Sequence, residues 1–307
     1  MEETGLNNRW RHPLISILMT LVFFFVGFQI IGPAIGAFIA LPFFPGTETE
    51  LMAALADPTS NPAMRLPLFI MQSVGVLVGM ILLPWWLLRK QKRTIADLFH
   101  TPHFRPAVIV PVLVVVFMGV NSIVIKWNAD LTLPFGMDEW ARPMEEKLTE
   151  MTKYLINYES AGQMIFAFIV VAVLPAIGEE LVFRGIIQNE FYRATRNPHV
   201  AVWVAAFIFS AVHFQFYGFF PRMLLGALFG YLYIWSGNLW MPVLAHFVNN
   251  GFTLVSMFFV QNGTIPVDLD SVELSASQVL FSAGFTALLI YSYRSFYNTQ
   301  PKADIPA

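Results

Sequence analysis

The sequence predicts an all-α, polytopic integral membrane bundle of about eight transmembrane helices with both termini cytoplasmic, each span needing about 20 apolar residues. Three observations predict it. The 307 residues are 56% hydrophobic and only 12% charged, whereas water-soluble domains carry about 25% charged residues. The apolar residues are gathered into runs close to the length that crosses a bilayer. The lysines and arginines between those runs fall unequally on the two sides that successive crossings define.

The same composition excludes several classes of function. With no cysteine in the chain, a cysteine nucleophile, a thiolate zinc site and a disulfide scaffold are all ruled out. No basic tract suggests a nucleic-acid partner. The net charge of -2 averages membrane-buried and exposed parts and says little about partners.

Arg9 and Arg11 precede the first run, Leu14 to Leu41. That arrangement is similar to the start of a secretory signal, but the apolar part is too long for one, so a retained first span is expected. Its Gly32 and Gly36 have the spacing that lets helices approach closely. The second span is expected from about Leu66 to Leu88, ending at the Arg89, Lys90, Lys92 and Arg93 cluster, and the third from about Val108 to Trp127. Between Trp140 and Ser160, Met144, Leu148, Met151 and Leu155 recur at helical spacing among Glu and Lys, which predicts a helix lying in the membrane interface.

The fourth span is expected from about Ala161 toward Phe191, the fifth from Val200 to Tyr217, and the sixth from Arg222 to Trp235 with a second close-packing pair, Gly226 and Gly230. The seventh runs from Leu239 to Val260 and the eighth from Ala276 to Tyr293. With the N-terminus inside, Arg9, Arg11, the Arg89 to Arg93 cluster, Arg105, Arg193, Arg196, Arg294 and Lys302 are cytoplasmic, and the opposite side is poorer in basic residues. No composition shift or repeat divides the chain, so residues 1–307 are expected to form a single transmembrane domain.

Chemistry concentrates in a few polar residues inside apolar helices. Glu179 and Glu180 are read as the only acids inside spans, and His213 and His246 as the only histidines there. Ionisable groups at membrane depth cost at least a few kcal/mol each, which marks them as functional. Residues four apart share a helix face, so Glu180 can pair with Arg184 while Glu179 points elsewhere and is the candidate base. Phe209 shares a face with His213, and His246 with Asn250. The last pair offers donors one turn apart, able to hold the oxyanion formed when water attacks an amide. Asn249 is the weaker candidate and is expected to bond to a neighbouring helix. His213 and His246 would not lie level on straight helices, so a kink or offset is expected, near Pro175 or Pro242.

Glu179-Glu180-x-x-x-Arg184, Phe209-x-x-x-His213 and His246-x-x-x-Asn250, in this order on separate apolar helices, resemble the motifs of the CPBP/Abi family of CAAX prenyl endopeptidase-like intramembrane proteases. The resemblance places a catalytic core at residues 161–255. It implies that Glu179 and His213 activate the attacking water, that His246 and Asn250 stabilise the oxyanion, and that Glu180 and Arg184 form a supporting ion pair. It implies a membrane-embedded or lipidated peptide substrate within the lipid bilayer, and a bacterial cytoplasmic membrane as location. Glu179, His213 and His246 also make a zinc set. Asn250 stands where a stronger ligand would be preferred, so metal-independent chemistry is favoured and no cofactor is required.

Two rival readings belong to other classes. An ion- or proton-coupled transporter also buries Glu, His and Arg, but carriers usually show repeated halves, and the first three spans contain nothing like the motif helices. A catalytically idle scaffold or immunity-type protein would use the same fold to bind a partner, against which the intact motifs argue. The chain has no Gly-x-Ser-Gly, no Gly-x-Gly-Asp and no His-Glu-x-x-His, the signatures of other intramembrane proteases.

Overall fold

The computed structural model describes residues 10–157, 161–261, 263–265 and 274–299. The chain termini, with Arg9 and Lys302, and residues 158–160 of the polar stretch lie outside them. Among the described residues there are ten helices and no strand. In chain order they are α1 (Pro13–Phe43), α2 (Glu48–Ala54), α3 (Pro62–Lys90), α4 (Phe104–Ala129) and α5 (Asp138–Ile156). There follow α6 (Gly162–Thr195), α7 (Pro198–Ala211), α8 (Phe219–Ser236), α9 (Trp240–Gln261) and α10 (Ala276–Asn298).

Five of these, α1, α3, α4, α6 and α9, are long and apolar enough to cross a membrane. Their outward faces carry large apolar side chains, such as Phe38 at 76% exposure and Leu18 at 61%. Water would not tolerate so much apolar surface and lipid does, so the chain is an integral membrane protein. The remaining expected spans coincide with α7, α8 and α10, the first of which has only 14 residues. The polar stretch folds as α5, whose Arg142, Glu146, Lys147, Glu150 and Lys153 are exposed.

Contacts within the chain divide it into two compact units, Met1–Thr94 with Glu146–Val182, and Ile95–Glu145 with Phe183–Ala307. In the first, glycines let α1 and α3 approach backbone to backbone. A Cβ on Gly32 would stand 2.4 Å from the Gly75 Cα, one on Gly36 2.5 Å from the Met71 Cα, and one on Gly27 2.6 Å from the Gly79 Cα. Lipid supplies no hydrophobic drive for helix association, so such close van der Waals packing carries it. Replacing Gly32 by leucine must push the helices apart, at a cost of about 1–3 kcal/mol. A lower thermal midpoint of the purified variant in detergent checks this, with Ile35→Leu on the exposed side of α1 as the control that stays unchanged.

In the second unit, Val110, Leu113 and Val114 of α4 form one buried cluster with Leu228, Phe229 and Leu232 of α8, Met241 and Ala245 of α9, and Tyr293 of α10. The Tyr293 hydroxyl closes it by donating to the Leu232 carbonyl at 3.1 Å. At the far end of α4, Asn128 holds the turn between α7 and α8. Its Nδ2 donates to the Phe216 carbonyl at 2.9 Å, and its Oδ1 accepts from the Phe220 amide at 2.7 Å. The start of α5 braces the same turn, since the Tyr217 amide donates to Glu145 at 3.1 Å and the Tyr217 hydroxyl donates to Asp138. That hydroxyl holds the half-buried Asp138 carboxyl below the usual carboxylate range.

Candidate active site

The glutamate pair sits where the winding of α6 changes. Leu174–Glu180 is α-helical, and Leu181–Gln188 is wound more widely, as a π-helix. Wide turns of this kind are rare and concentrate at functional sites. Glu180 is fully buried and Glu179 only partly so, which is the difference in orientation that their adjacency on a helix predicts. Both lie in the first unit, where Gly178 packs so tightly that a Cβ there would meet Met80 and Val76 at 2.9 Å.

The second unit takes up α6 again at Phe183 and gathers the other motif residues around one ring. Arg184, buried to 1% exposure, donates from Nη2 to the Gly226 carbonyl at 3.0 Å. Its guanidinium lies 4.6 Å from the centre of the Phe209 ring and 5.5 Å from that of Phe229, so cation–π attraction offsets part of the cost of burying it. His213 approaches the same Phe209 ring at 5.1 Å, and His246 at 6.1 Å while stacking on Phe229 at 5.5 Å. Arg184, His213 and His246, which come from α6, the turn after α7, and α9, therefore share Phe209 as a common neighbour.

The two histidines meet at the Phe209 ring. The fifth span was expected to run to Tyr217, but α7 ends at Ala211, and His213 lies in the turn beyond it. Fourteen residues make about 21 Å of helix, well short of the roughly 30 Å hydrocarbon core. The early end of α7 places His213 in a turn and supplies an offset of the kind expected. The chain leaves α7 through Phe214, whose φ of +54° is left-handed, and through Ser210, whose hydroxyl donates to the Phe219 carbonyl at 2.6 Å.

One contact fixes the chemistry available at His213. Its Nδ1 lies 2.7 Å from the Phe209 carbonyl oxygen. A carbonyl only accepts, so Nδ1 carries the proton, and in the neutral ring Nε2 holds the lone pair. Asn250 is oriented in a comparable way. Asn249, expected to bond to a neighbouring helix, donates within its own helix from Nδ2 to the Asn250 Oδ1 at 3.1 Å. The accepting end of the Asn250 amide is thereby engaged, and its Nδ2–H groups are the end that can be offered to an anion.

Sequence reasoning missed a polar layer one turn further along α6. Gln188 donates to the Gly230 carbonyl at 3.1 Å, repeating four residues on what Arg184 does at Gly226. Asn189 donates to the Tyr233 hydroxyl at 2.9 Å. Glu190 is also buried inside this helix, 2.6 Å from Arg193, so Glu179 and Glu180 are not the only acids within spans. The spacing of Gly226 and Gly230 against Arg184 and Gln188 was the available signal. Both glycines do serve close packing, since a Cβ on Gly226 would meet Phe209 at 3.1 Å and one on Gly230 would meet Val202 at 3.0 Å.

Among the described residues no group of three His, Asp or Glu side chains converges on a point that a metal ion would occupy. No step of the chemistry proposed for this site is routed through a metal.

Residues 161–252 match the family described as Type II CAAX prenyl endopeptidase Rce1-like. The chain is 30% identical over 149 residues to the membrane-embedded CAAX protease MroQ of Staphylococcus aureus, covering 47% of this chain and 53% of that one. It is 31% identical over 102 residues to the uncharacterized protein YpbD of Bacillus subtilis, covering 32% of this chain and 47% of the relative. The chain spans about half the length of these curated relatives. No solved structure matches it.

Proposed function

We propose, on the premise that this chain belongs through residues 161–252 to the Rce1-like CAAX-type membrane protease family, that it is an intramembrane endopeptidase that hydrolyses a peptide bond by Glu/His-activated water. The observation that carries the reading is the meeting of His213 and His246 at Phe209, with the His213 Nδ1 proton held by a backbone carbonyl. A half-buried imidazole with a fixed tautomer is suited to take or steer a proton and adds nothing to lipid packing.

In the proposed reaction a water donates one hydrogen bond to Nε2 of His213 and gives its proton to the Glu179 carboxylate as its oxygen attacks the scissile carbonyl carbon. The carbonyl oxygen becomes an oxyanion, which accepts hydrogen bonds from the His246 ring N–H and from Nδ2 of Asn250. Collapse of the tetrahedral intermediate breaks the C–N bond, and Glu179 returns the proton to the leaving amine. Glu180 and Arg184 act as the supporting ion pair, with Arg184 further fixed by the Gly226 carbonyl and the two phenylalanine faces. The substrate is a membrane-embedded or lipidated peptide that enters from the bilayer, and the location is a bacterial cytoplasmic membrane.

The chemistry is proposed as metal-independent. Purified protein in liposomes is expected to cleave a membrane-anchored reporter peptide at an unchanged rate after exhaustive chelation. Loss of activity to the chelator with recovery on adding zinc contradicts this. The same liposomes test the transporter reading, which requires Glu179-dependent ion flux with no peptide cleavage.

A further inference from the structure

The geometry points to a binding site for the headgroup of an anionic phospholipid in the first unit, independent of the peptidase reading. A cavity of about 410 Å³ lies where α1 ends at Phe43, α3 begins at Pro62 and α6 begins at Gly162. These are the ends of three apolar helices, so the cavity sits at the level where hydrocarbon gives way to headgroups. Its volume falls within the roughly 300–1,000 Å³ range of small-molecule sites.

The lining is apolar apart from one cation and one amide. Phe43, Leu66, Phe69 and Phe166 supply the walls, and Arg65 and Gln163 the polar part. Arg65 is strongly underused. Its Nη1 reaches the Gln163 Oε1 only at 3.4 Å, its Nε is buried with no acceptor, and its guanidinium lies 5.3 Å from the centre of the Tyr154 ring. No carboxylate among the described residues pairs with it. A planar fork of donors with so few acceptors matches a phosphodiester, which takes two parallel N–H bonds from one guanidinium.

The surroundings favour a lipid over a free anion or a peptide. Phe43, Leu66 and Phe166 are exposed at the rim. The rim continues on α6 through the exposed Ile165 and Ile169, and on α1 through Phe38 and Ile39. Acyl chains can therefore leave the cavity directly onto apolar surface while the phosphate stays on Arg65. A stretch of polar wall that would pair with peptide backbone is missing from this lining.

The test is native mass spectrometry of the full chain in neutral detergent, titrated separately with phosphatidylglycerol and phosphatidylcholine. Wild type is expected to retain one phosphatidylglycerol about tenfold more tightly than phosphatidylcholine, and Arg65→Gln to lose that preference. Ala63→Phe, which fills the cavity floor without touching the charge, is expected to weaken retention of both lipids. Equal retention of the two lipids by wild type, or unchanged phosphatidylglycerol retention in Arg65→Gln, overturns the site. Should Arg65→Gln prove unfolded, unchanged retention in Ala63→Phe overturns it equally. Displacement of phosphatidylglycerol by millimolar inorganic phosphate would make it a free-phosphate site. A fall in reporter cleavage by Ala63→Phe with lipid retention unchanged would make it a peptide path. Either result contradicts the lipid assignment.

Discussion

Glu179→Ala and His213→Ala are each expected to abolish cleavage of a membrane-anchored reporter peptide while leaving the protein folded and in the membrane. General acid–base groups contribute about 10²–10⁴-fold, and a Glu/His pair sharing one water fails as a unit when either is lost. The two variants should not differ much from each other or from the double variant. Structural damage is separated from chemistry by the environment of each residue. Glu179 is only partly buried, and its truncation leaves the fully buried Glu180 in place. At His213 the informative companion is His213→Gln, which can still donate to the Phe209 carbonyl but cannot take a proton. Retained stability with lost cleavage in His213→Gln is the expected pattern. Cleavage within about tenfold of wild type in either alanine variant sinks the mechanism.

The next largest effect is expected at Asn250. Removing one oxyanion donor costs about 10²–10³-fold in turnover, with little change in substrate affinity, because the charge it stabilises exists only in the transition state. Asn250→Ala is therefore expected to lower kcat and leave KM nearly unchanged. Asn249 refines this prediction, since its Nδ2 engages the Asn250 Oδ1 at 3.1 Å. Asn249→Ala removes one of the contacts that orient the Asn250 amide, so kcat should fall less than in Asn250→Ala and KM should again hold. Asn250→Asp replaces the donor by a negative charge facing the oxyanion and should be as inactive as alanine. A KM effect without a kcat effect at Asn250 would place it in substrate binding and not in transition-state stabilisation.

Much of this protein could be read before its structure was seen, for physical reasons that also explain the failures. Membrane helices leave a strong signal because every backbone polar group must be satisfied within the segment, so apolar length alone located the helices. The motif spacings survived because residues four apart stay neighbours on any helix, which brought Phe209 to His213 at 5.1 Å even though the helix had already ended. The end of α7 itself was not legible. It is enforced from outside by Asn128, Glu145 and Asp138 clamping residues 216–220, and Phe214 takes a left-handed conformation for which sequence gives no warning. The wide winding of Leu181–Gln188 is likewise a tertiary effect, aligned with Arg184 and Gln188 reaching the carbonyls of Gly226 and Gly230. Glu190 stands near the end of its span, where a charge is ordinarily at the water boundary, yet it is fully buried and paired with Arg193.

The central claim is that Glu179 is the carboxylate of a working peptidase. Its most direct measurement is comparative N-terminal peptide profiling of membranes that contain the wild-type chain or Glu179→Ala at matched abundance. The account predicts a small set of new N-termini, within or beside membrane segments of other proteins, present with wild type and absent with the variant. Identical N-terminal profiles for the two would contradict it.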